Sequence, residues 1–542
     1  MKKNLIFLAI LFSVVVYGIE PEGNIYWVQF NSKANSTYTL GNPEYYLSSR
    51  AIARREKQNI AIDSTDLPVP QMFLDSITSL GFKVKHTSRW MNGAIAYFDS
   101  TISTDSIFKP SFVSEYQLRK GSELKSATSV ISDFDTIQQQ YYGNSYAQVS
   151  MLKGEIVHQY SKGEGVHVAV IDAGFLNSDK LDAFDSLFSR NGIIGTYDFV
   201  NPGNNVYNEH YHGNAVLSIM AGNIPGKLVG SAPDASYWLL RSEDVATEYP
   251  VEEDYWIVAA EFADRMGCDV INTSLGYNTF DNPVFNHTYE EFDGKSMRIS
   301  KVANLAVDKG IVVVCSAGNS GDDAWKYIIT PAEAEKVLAV GAVNSDGTVT
   351  KFSSRGFTEE WALPKPDVSA MGAGVAFAST SGDVVTGNGT SFSAPIVAGM
   401  AACLIAYYPD KTAHEIIDLI KSSGNLFPGF NTEYGYGIPD FSKLIKTEPA
   451  DTTTTPTSVH NFNQENSYIY PNPYVSSIFI KNVEEFTSFE LYSTSGLKVF
   501  SMQIDHENAE ISNPILSSLK KGVYFAVLKG EQKVHTFKLI KN

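Results

Sequence analysis

The chain has 542 residues, a length that exceeds one ordinary hydrophobic core and predicts two to four domains. Its 43% hydrophobic and 12% aromatic content is typical of globular proteins and excludes general disorder. The formal net charge is −18, which is unsuited to binding a phosphate backbone, so we expect no nucleic-acid partner.

The N-terminus has the pattern of a signal peptide over residues 1–18. Lys2 and Lys3 precede an apolar run from Leu5 to Val16, and the short stretch VYG follows. The run is too short to span a membrane comfortably, and the alternative is a buried helix. The pattern favours an exported protein.

Residues 24–98 have the pattern of a small α/β module. The segments IYWVQF and AIAYF predict strands, and YYLSSRAIARREKQ and VPQMFLDSITSLG predict helices between them. From about residue 99 to 140 the periodicity weakens and Ser, Thr, Asp and Gln dominate, which predicts a connector.

Residues 141–446 alternate apolar strand patterns with helical ones. The runs VHVAVIDAG, CDVINTSLG and GIVVVCSAGN are apolar along their whole length, which favours a parallel sheet covered by helices in an α/β fold. Because function collects at the carboxyl ends of parallel strands, we expect Asp172, Ser274 and Asn319 to lie close together.

The last part of the chain changes character. The Thr/Pro-rich stretch TEPADTTTTPTS predicts a linker, and the short alternating strands that follow predict an all-β sandwich. The three cysteines, Cys268, Cys315 and Cys403, lie in apolar surroundings without a CxxC spacing, so we predict buried thiols and no zinc site.

The stretch GNGTSFSAPIVAGMAAC places Ser391 where a glycine-rich loop meets a small-residue helix. A serine hydroxyl is a weak nucleophile that needs a base, a group that orients the base, and donors for the oxyanion. Asp172, His212 and Asn319 lie in local patterns suited to these roles.

Each of these residues has a structural alternative. Ser391 is also a good helix N-cap, and Asp172 and Asn319 suit turns. His212 forms an HxH pair with His210, which is a possible metal-binding arrangement.

Taken jointly, the motifs resemble those of the subtilases, a family of serine peptidases. VIDAG, HGNAV and GTSFSAP follow one another in the order acid, base and nucleophile that is found in subtilisin. The resemblance covers roughly residues 140–446, and further blocks match in order: VGSAPDA, SLG, AGN, VGAVNSDGTVTKFSSRG, KPDVSAMG and GYGIPD.

The resemblance implies a subtilisin-like parallel-sheet core and hydrolysis of peptide bonds in extended protein segments. It implies Asp172, His212 and Ser391 as catalytic residues, with the Asn319 amide and the Ser391 N–H holding the oxyanion. The implied walls of the pocket for the residue before the scissile bond are Ser274, Leu275, Gly276, Ser316, Ala317 and Gly318.

Three residues depart from the usual family pattern. Ala173 stands where many relatives have Ser or Thr after the acid, and Asn214 stands where many have Thr after His-Gly. Both changes are expected to alter hydrogen bonding around the triad. Ile329 stands where many relatives have a small residue, which predicts a shallow pocket.

The flanking segments also resemble known modules. Residues 19–126 resemble a subtilase propeptide with its connector, and residues 467–542 resemble the sorting domain of the type IX secretion route in certain Gram-negative bacteria, although an accessory binding sandwich remains an alternative. The resulting organisation is a signal peptide (1–18), a propeptide (19–126), a peptidase domain (127–446), a linker (447–466) and a β-sandwich (467–542).

This organisation predicts a zymogen that crosses the periplasm and is secreted or attached to the cell surface. Its expected partners are protein or peptide substrates, its own propeptide and the secretion machinery. No cofactor is expected for catalysis. The resemblance leaves room for a structural calcium ion, but no contiguous loop of Asp and Asn indicates a site.

Other functions are less consistent with the sequence. The alternative that stays open is a catalytically inactive surface binding protein on a subtilase scaffold. A metallopeptidase is disfavoured because HEIID, at 414–418, lacks the second His of HExxH, and a lipase-type hydrolase is disfavoured because no GxSxG surrounds Ser391.

Overall fold

The computed structural model describes residues 23–99, 108–120, 141–359, 363–445, 468–470, 477–481, 486–493, 498–504, 508–512, 514–530 and 534–541. The predicted signal peptide and linker, and most of the predicted connector, lie outside the described residues. Contacts divide the chain into two units, Met1–Lys446 and Thr447–Asn542.

The N-terminal module, residues 23–120, is a four-stranded antiparallel sheet with two helices. Its elements are β1 (Gly23–Phe30), α1 (Ser49–Lys57), α2 (Gln71–Ser79), β2 (Lys83–Ser88), β3 (Gly93–Asp99) and β4 (Val113–Lys120). The strand order is β2-β3-β1-β4. Both predicted strands and both predicted helices are confirmed, the helices being shorter at each end.

Strand β4 corrects the prediction that residues from about 99 to 140 are only a connector. It pairs antiparallel with β1, and most of its side chains are partly or fully exposed. Because it lacks an apolar face of its own, its strand conformation depends on pairing with β1, a contact distant in sequence.

The two faces of β1 have different partners. Tyr26, Val28 and Phe30 belong to a core formed with the module's own helices. Ile25 and Trp27 point to the opposite face and join the core of the domain that follows. Because its side chains alternate between two faces, β1 contributes to both cores and joins the module to the rest of the first unit.

The central domain, residues 141–445, is built around a seven-stranded parallel sheet of order β13-β12-β11-β10-β5-β9-β6. Its elements are α3 (Tyr146–Met151), α4 (Gly154–Val157), β5 (His167–Asp172), α5 (Asp185–Ser189), β6 (Ile193–Asp198), α6 (His212–Ala221), β7 (Asn223–Ile224), β8 (Leu228–Val229), β9 (Ser236–Arg241), α7 (Val251–Met266), β10 (Val270–Thr273), α8 (Arg298–Asp308), β11 (Val312–Ser316), β12 (Leu338–Val343), β13 (Val368–Met371), β14 (Val375–Ala378), β15 (Val384–Gly387), α9 (Thr390–Tyr407) and α10 (Ala413–Ser422).

The predicted α/β fold is confirmed. The three apolar runs form β5, β10 and β11, which are neighbours in the sheet and are buried almost throughout. Helix α9 is buried on nearly all sides, and Gly399 lets it lie close to the chain beneath, because a Cβ there would meet the Ser231 Oγ at 2.0 Å. Within the described ranges, α9 is the one helix apolar and long enough to span a membrane, and 78% of it is buried inside the domain.

The three cysteines are free and fully buried, as predicted. Burial raises the pKa of the Cys268, Cys315 and Cys403 thiols. They therefore behave as small apolar core residues.

A buried ion-pair network joins the N-terminal module to α7. The carboxylate of Asp264 receives the guanidinium groups of Arg54, Arg55 and Arg89, with the Arg55 contact at 2.9 Å. Arg55 also binds Asp66 at 2.7 Å. The three arginines hold the pKa of Asp264 down at about 2, against the effect of its burial. Asp264 is therefore a charged group that depends on the module for its counter-ions.

A second part of this contact lies along the same helix. Arg119 of β4 binds Glu253 at 2.8 Å and Asp254 at 2.7 Å. Glu261 accepts the Arg89 N–H at 2.8 Å and the Trp90 N–H at 3.2 Å. One face of α7 is thus acidic and is covered by basic groups and main-chain donors of the module.

The second unit contains two antiparallel sheets, of order β16-β17-β20 and β19-β18-β21-β22. Its elements are β16 (Tyr468–Tyr470), β17 (Ser477–Lys481), β18 (Ser488–Ser493), β19 (Lys498–Gln503), β20 (Asn508–Ser512), α11 (Pro514–Ser518), β21 (Gly522–Lys529) and β22 (Val534–Lys541). One apolar cluster takes residues from both sheets, among them Ile478, Ile511, Phe489 and Leu528. The described part of this unit is therefore the predicted β-sandwich.

Candidate active site

Asp172 and His212 are hydrogen-bonded at the carboxyl edge of the sheet. Asp172 is the last residue of β5 and is fully buried, and its Oδ1 lies 2.8 Å from His212 Nδ1. His212 begins α6, and Gly213 allows the close approach, because a Cβ there would lie 2.4 Å from the Gly174 carbonyl oxygen and 3.0 Å from the Asp172 Cβ. The glycine after the histidine is therefore a requirement of packing.

The electrostatics of this pair favour a charged imidazole. Burial by itself lowers the pKa of His212, but the charge of Asp172 and its hydrogen bond raise the pKa above its usual value. The same Asp172 Oδ1 accepts the Ala173 N–H at 2.7 Å. The pair can therefore take up a proton at His212 Nε2, since Nδ1 is committed to Asp172.

Ser391 is the second residue of α9. The N-cap is Gly389, so the alternative that Ser391 is a helix N-cap is wrong. The Ser391 hydroxyl donates to the Ser274 carbonyl oxygen at 3.1 Å, and the Ser274 hydroxyl donates to the Ser391 carbonyl oxygen at 2.8 Å. Pro395 has no N–H to offer that carbonyl, which frees it for Ser274.

Ser391 and His212, both among the described residues, form no direct hydrogen bond with each other. The Ser391 hydroxyl donates to the Ser274 carbonyl oxygen instead. Such catalytic hydrogen bonds commonly form only when substrate is bound. As the second helical residue, Ser391 also has a main-chain N–H without a partner inside the helix. That N–H is available to an anion at the helix N-terminus.

Thr390 orients the Asn319 amide. Asn319 Oδ1 accepts the Thr390 N–H at 2.8 Å and the Thr390 hydroxyl at 3.0 Å, and the same hydroxyl accepts the Gly318 N–H at 3.1 Å. A main-chain N–H can only donate, so it identifies the atom it contacts as the amide oxygen. The Asn319 Nδ2 is consequently the group left to donate into the cleft.

His212, Asn319, Thr390 and Ser391 line one cleft of about 270 Å³. Ile329 lies close to both predicted pocket walls, because a Cβ on Gly276 would meet its Cδ1 at 2.5 Å and one on Gly318 would meet its Cγ1 at 3.0 Å. The cleft is lined by Ala173, His210, His212, Glu243, Glu248, Ser274, Leu275, Gly276, Ser316, Gly318, Asn319, Ile329, Thr390 and Ser391. Ala317, the remaining predicted wall residue, is buried behind it.

The two departures next to the triad have different consequences. The Asn214 amide contacts the Ala378 carbonyl at 2.8 Å and the Ser178 hydroxyl at 3.0 Å, so it joins α6 to its surroundings and not to the triad. Ala173 offers no hydroxyl to Asp172, whose Oδ2 is buried without a hydrogen-bond partner. The expected change in hydrogen bonding therefore applies to Ala173 alone.

The HxH alternative does not produce a metal site in the described part of the chain. There, no group of three or more His, Cys, Asp and Glu side chains is arranged to bind a metal. His210 lies in the cleft, and its Nδ1 accepts the His212 N–H at a long 3.4 Å.

Sequence reasoning missed three residues of the cleft: Thr390, Glu243 and Glu248. Thr390 precedes Ser391 directly and could have been found from the need to orient the Asn319 amide. Glu243 and Glu248 lie in the irregular segment between β9 and α7, where no periodicity indicates which side chains point inward.

Three protein families match separate parts of the chain. Residues 163–437 match the Subtilase family. Residues 25–132 match the peptidase S8 propeptide domain of Bacteroidota, and residues 468–542 match a secretion system C-terminal sorting domain.

Two Bacillus subtilisins agree with the family matches. Subtilisin E of Bacillus subtilis is 29% identical over 374 residues, which are 67% of this chain and 83% of that protein. Subtilisin of Bacillus pumilus is 30% identical over 295 residues, covering 54% of this chain and 94% of that protein. The crystal structure of MycP1 from Mycobacterium smegmatis is 22% identical with a TM-score of 0.46, covering 62% of this chain and 94% of that one.

Proposed function

This chain belongs to the subtilase family and is a secreted, subtilisin-like serine endopeptidase with its own propeptide and a C-terminal sorting domain, and on that basis we propose that Asp172, His212 and Ser391 form its catalytic triad. The observation that carries the proposal is the 2.8 Å contact between Asp172 Oδ1 and His212 Nδ1, because His212 lines the same cleft as Ser391 and Asn319.

In the proposed reaction the Ser391 hydroxyl leaves the Ser274 carbonyl, transfers its proton to His212 Nε2 and attacks the scissile carbonyl carbon. Asp172 keeps Nδ1 protonated and stabilises the charged imidazole. The oxyanion is held by the Ser391 N–H and the Asn319 Nδ2, whose orientation Thr390 maintains. His212 then protonates the leaving amine as the C–N bond breaks. His212 next takes a proton from a water that attacks the acyl carbon, and returns it to the Ser391 oxygen as the ester bond breaks.

The pocket for the residue before the scissile bond is proposed to lie between 274–276 and 316–318, with Ile329 as its floor. An extended segment of a protein substrate would pair with the main chain of these walls as an added strand. Because Ile329 lies close to both Gly276 and Gly318, we expect a small residue at that position.

The proposed chemistry uses side chains and main-chain donors of this chain alone, so we expect catalysis to require no cofactor. A structural calcium ion stays an expectation from family resemblance, without a site. We propose domain boundaries near residues 18, 126, 446 and 466, with maturation removing the first two segments.

The test is covalent labelling of the mature enzyme with a fluorophosphonate, followed by peptide mapping. Labelling of Ser391, absent in Ser391→Ala and suppressed in His212→Ala, supports the triad. Labelling at another serine would refute it. Absence of labelling in a folded wild-type protein would favour an inactive binding protein on this scaffold instead.

A further inference from the structure

Two acidic side chains of the cleft are unexplained by the proposed chemistry. Glu243 is 7% exposed and Glu248 is half-buried, and both line the cleft that contains His212 and Ser391. In the described part of the chain, neither carboxylate takes part in any of the ion pairs. Arg241, a nearby cation, binds Asp198 at 2.9 Å instead.

The orientation of Glu243 is fixed by two donors to one oxygen. The Tyr277 hydroxyl donates to Glu243 Oε1 at 2.7 Å, and the Ser242 hydroxyl donates to the same atom at 2.6 Å. Tyr277 is buried and follows the wall residue Gly276 directly, so it cannot move away easily. Oε2 is therefore held as the atom of Glu243 that can accept a further donor.

The position of Glu243 relates it to the catalytic pair. The Ser242 N–H donates to the Asp172 carbonyl at 3.0 Å, which places the start of this segment beside the end of β5. Glu243 also interacts electrostatically with both Asp172 and His212. Glu243 thus lies beside the wall 274–276, in the cleft that His212 also lines.

Burial of these carboxylates is unfavourable without a cation. Desolvation raises the pKa of Glu243, and the charge of Asp172 adds to the effect. Together they outweigh the hydrogen bonds from Ser242 and Tyr277 and the charge of Arg241, which lower the pKa. Desolvation also raises the pKa of Glu248, with the charges of Glu243 and Asp281 adding to it. A positively charged group entering the cleft would offset both effects.

The same segment already binds a basic side chain at its rim. Lys120, the last residue of β4, forms an ion pair with Asp244, the residue after Glu243. The pair shows that a lysine can reach this segment from outside the central domain, and Glu243 and Glu248 of the same segment line the cleft itself.

The geometry of an extended substrate selects one position for such a side chain. Successive side chains of a strand point to opposite faces, so when one residue enters the pocket above Ile329, the residue before it points away from that pocket. His212 and Glu243 line the same cleft and belong to neither wall of that pocket, so their side chains are available to this residue.

We propose that Glu243 and Glu248 bind a lysine or arginine of the substrate at the second position before the scissile bond. This inference rests on the proposed function, since it uses the pocket and the triad to define the positions. It makes the enzyme selective for a basic residue followed by a small one, with the bond after the small residue cleaved.

The test uses peptides that differ only at the second position before the bond, with alanine at the first. Arginine is compared with citrulline, its neutral near-isostere, and lysine with norleucine. The mature enzyme should cleave the charged member of each pair about 10- to 100-fold better in kcat/KM, the range expected for hydrogen bonds to a charged group. The preference should shrink as salt is raised.

The variants Glu243→Gln and Glu248→Gln are compared by the ratio of kcat/KM for the charged peptide to kcat/KM for its neutral partner. Any general loss of activity cancels in this charged-to-neutral ratio. Glu243→Gln should reduce the ratio to near one, and Glu248→Gln should reduce it partly. Glu290→Gln, at an exposed position outside the cleft, is the matched control and should leave it unchanged.

The outcomes distinguish a failure of the proposed preference for a basic residue from a failure of the proposed peptidase function. Equal cleavage of charged and neutral peptides, or a basic preference at another position only, would overturn the inference while leaving the triad intact. A ratio unchanged in Glu243→Gln would also overturn it. If no peptide is cleaved and Ser391 is not labelled by a fluorophosphonate, the proposed function itself fails.

Discussion

Replacement of Asp264 by asparagine should weaken propeptide binding strongly while leaving the mature peptidase folded. Three arginines of the propeptide, Arg54, Arg55 and Arg89, converge on this one buried carboxylate. Removing one partner of a buried ion pair costs about 3–5 kcal/mol, because the remaining charges stay buried and uncompensated. At about 1.4 kcal/mol per tenfold, the lower limit corresponds to about a 100-fold weaker complex.

The assay is inhibition of the mature enzyme by separately produced propeptide. Because the substitution is on the peptidase, the same propeptide preparation serves for every variant and its own folding cost cancels. Asp308→Asn is the control: Asp308 lies on α8 and pairs with Lys336 of the same domain. An inhibition constant for Asp264→Asn within threefold of wild type would show that propeptide binding does not depend on this carboxylate.

The same contact has a defined pH dependence. The pKa of Asp264 is held at about 2 in the complex, below its usual value of 3.8. A carboxyl whose pKa is lowered contributes stability that is present above its free value and is lost as the pH falls through the lowered one. The contribution of Asp264 to propeptide binding should therefore persist at neutral pH and disappear between about pH 4 and 2.

Four further predictions concern the reaction and the chain ends. Asn319→Ala should lower kcat by about 10²–10³, the range known for the equivalent subtilisin donor, with little change in thermal stability; a loss below threefold would contradict its role. Activity should decline as the pH falls through a His212 pKa above the usual 6.5, and a rate that is flat from about pH 4 to 8 would exclude a histidine base. Ile329→Ala should deepen the pocket and shift cleavage of a peptide library from small towards larger residues before the bond, whereas an unchanged profile would exclude Ile329 as its floor. A chain ending at residue 446 should keep full peptidase activity but stay in the periplasm of its host; activity lost in a folded truncate, or unchanged secretion, would contradict the division of roles.

The sequence predicts the parts of the site that follow from regular structure. Asp172, Ser274 and Asn319 each follow a long apolar run, and parallel strands bring their carboxyl ends to one edge. His212 and Ser391 each precede a small-residue helix that must pack closely. These features depend on local pattern, which a single sequence contains.

Other parts depend on contacts between distant segments and could not be predicted in the same way. Strand β4 exists because β1 pairs with it. Glu243 points into the cleft because Tyr277, 34 residues later, binds its carboxylate. In the sequence, the arginines of α1 look like an ordinary exposed basic helix face. Only the position of Asp264 on α7 shows that they form the contact between the N-terminal module and the central domain.

The burial of all three native thiols makes this protein suitable for site-specific labelling. Because Cys268, Cys315 and Cys403 are fully enclosed, maleimide dyes should react with introduced surface cysteines without prior removal of the native ones. Met72 of the propeptide is 50% exposed and Val284 of the peptidase is 77% exposed, so both are suitable positions for a donor and an acceptor fluorophore. Loss of energy transfer between them would report release of the propeptide from single molecules in real time.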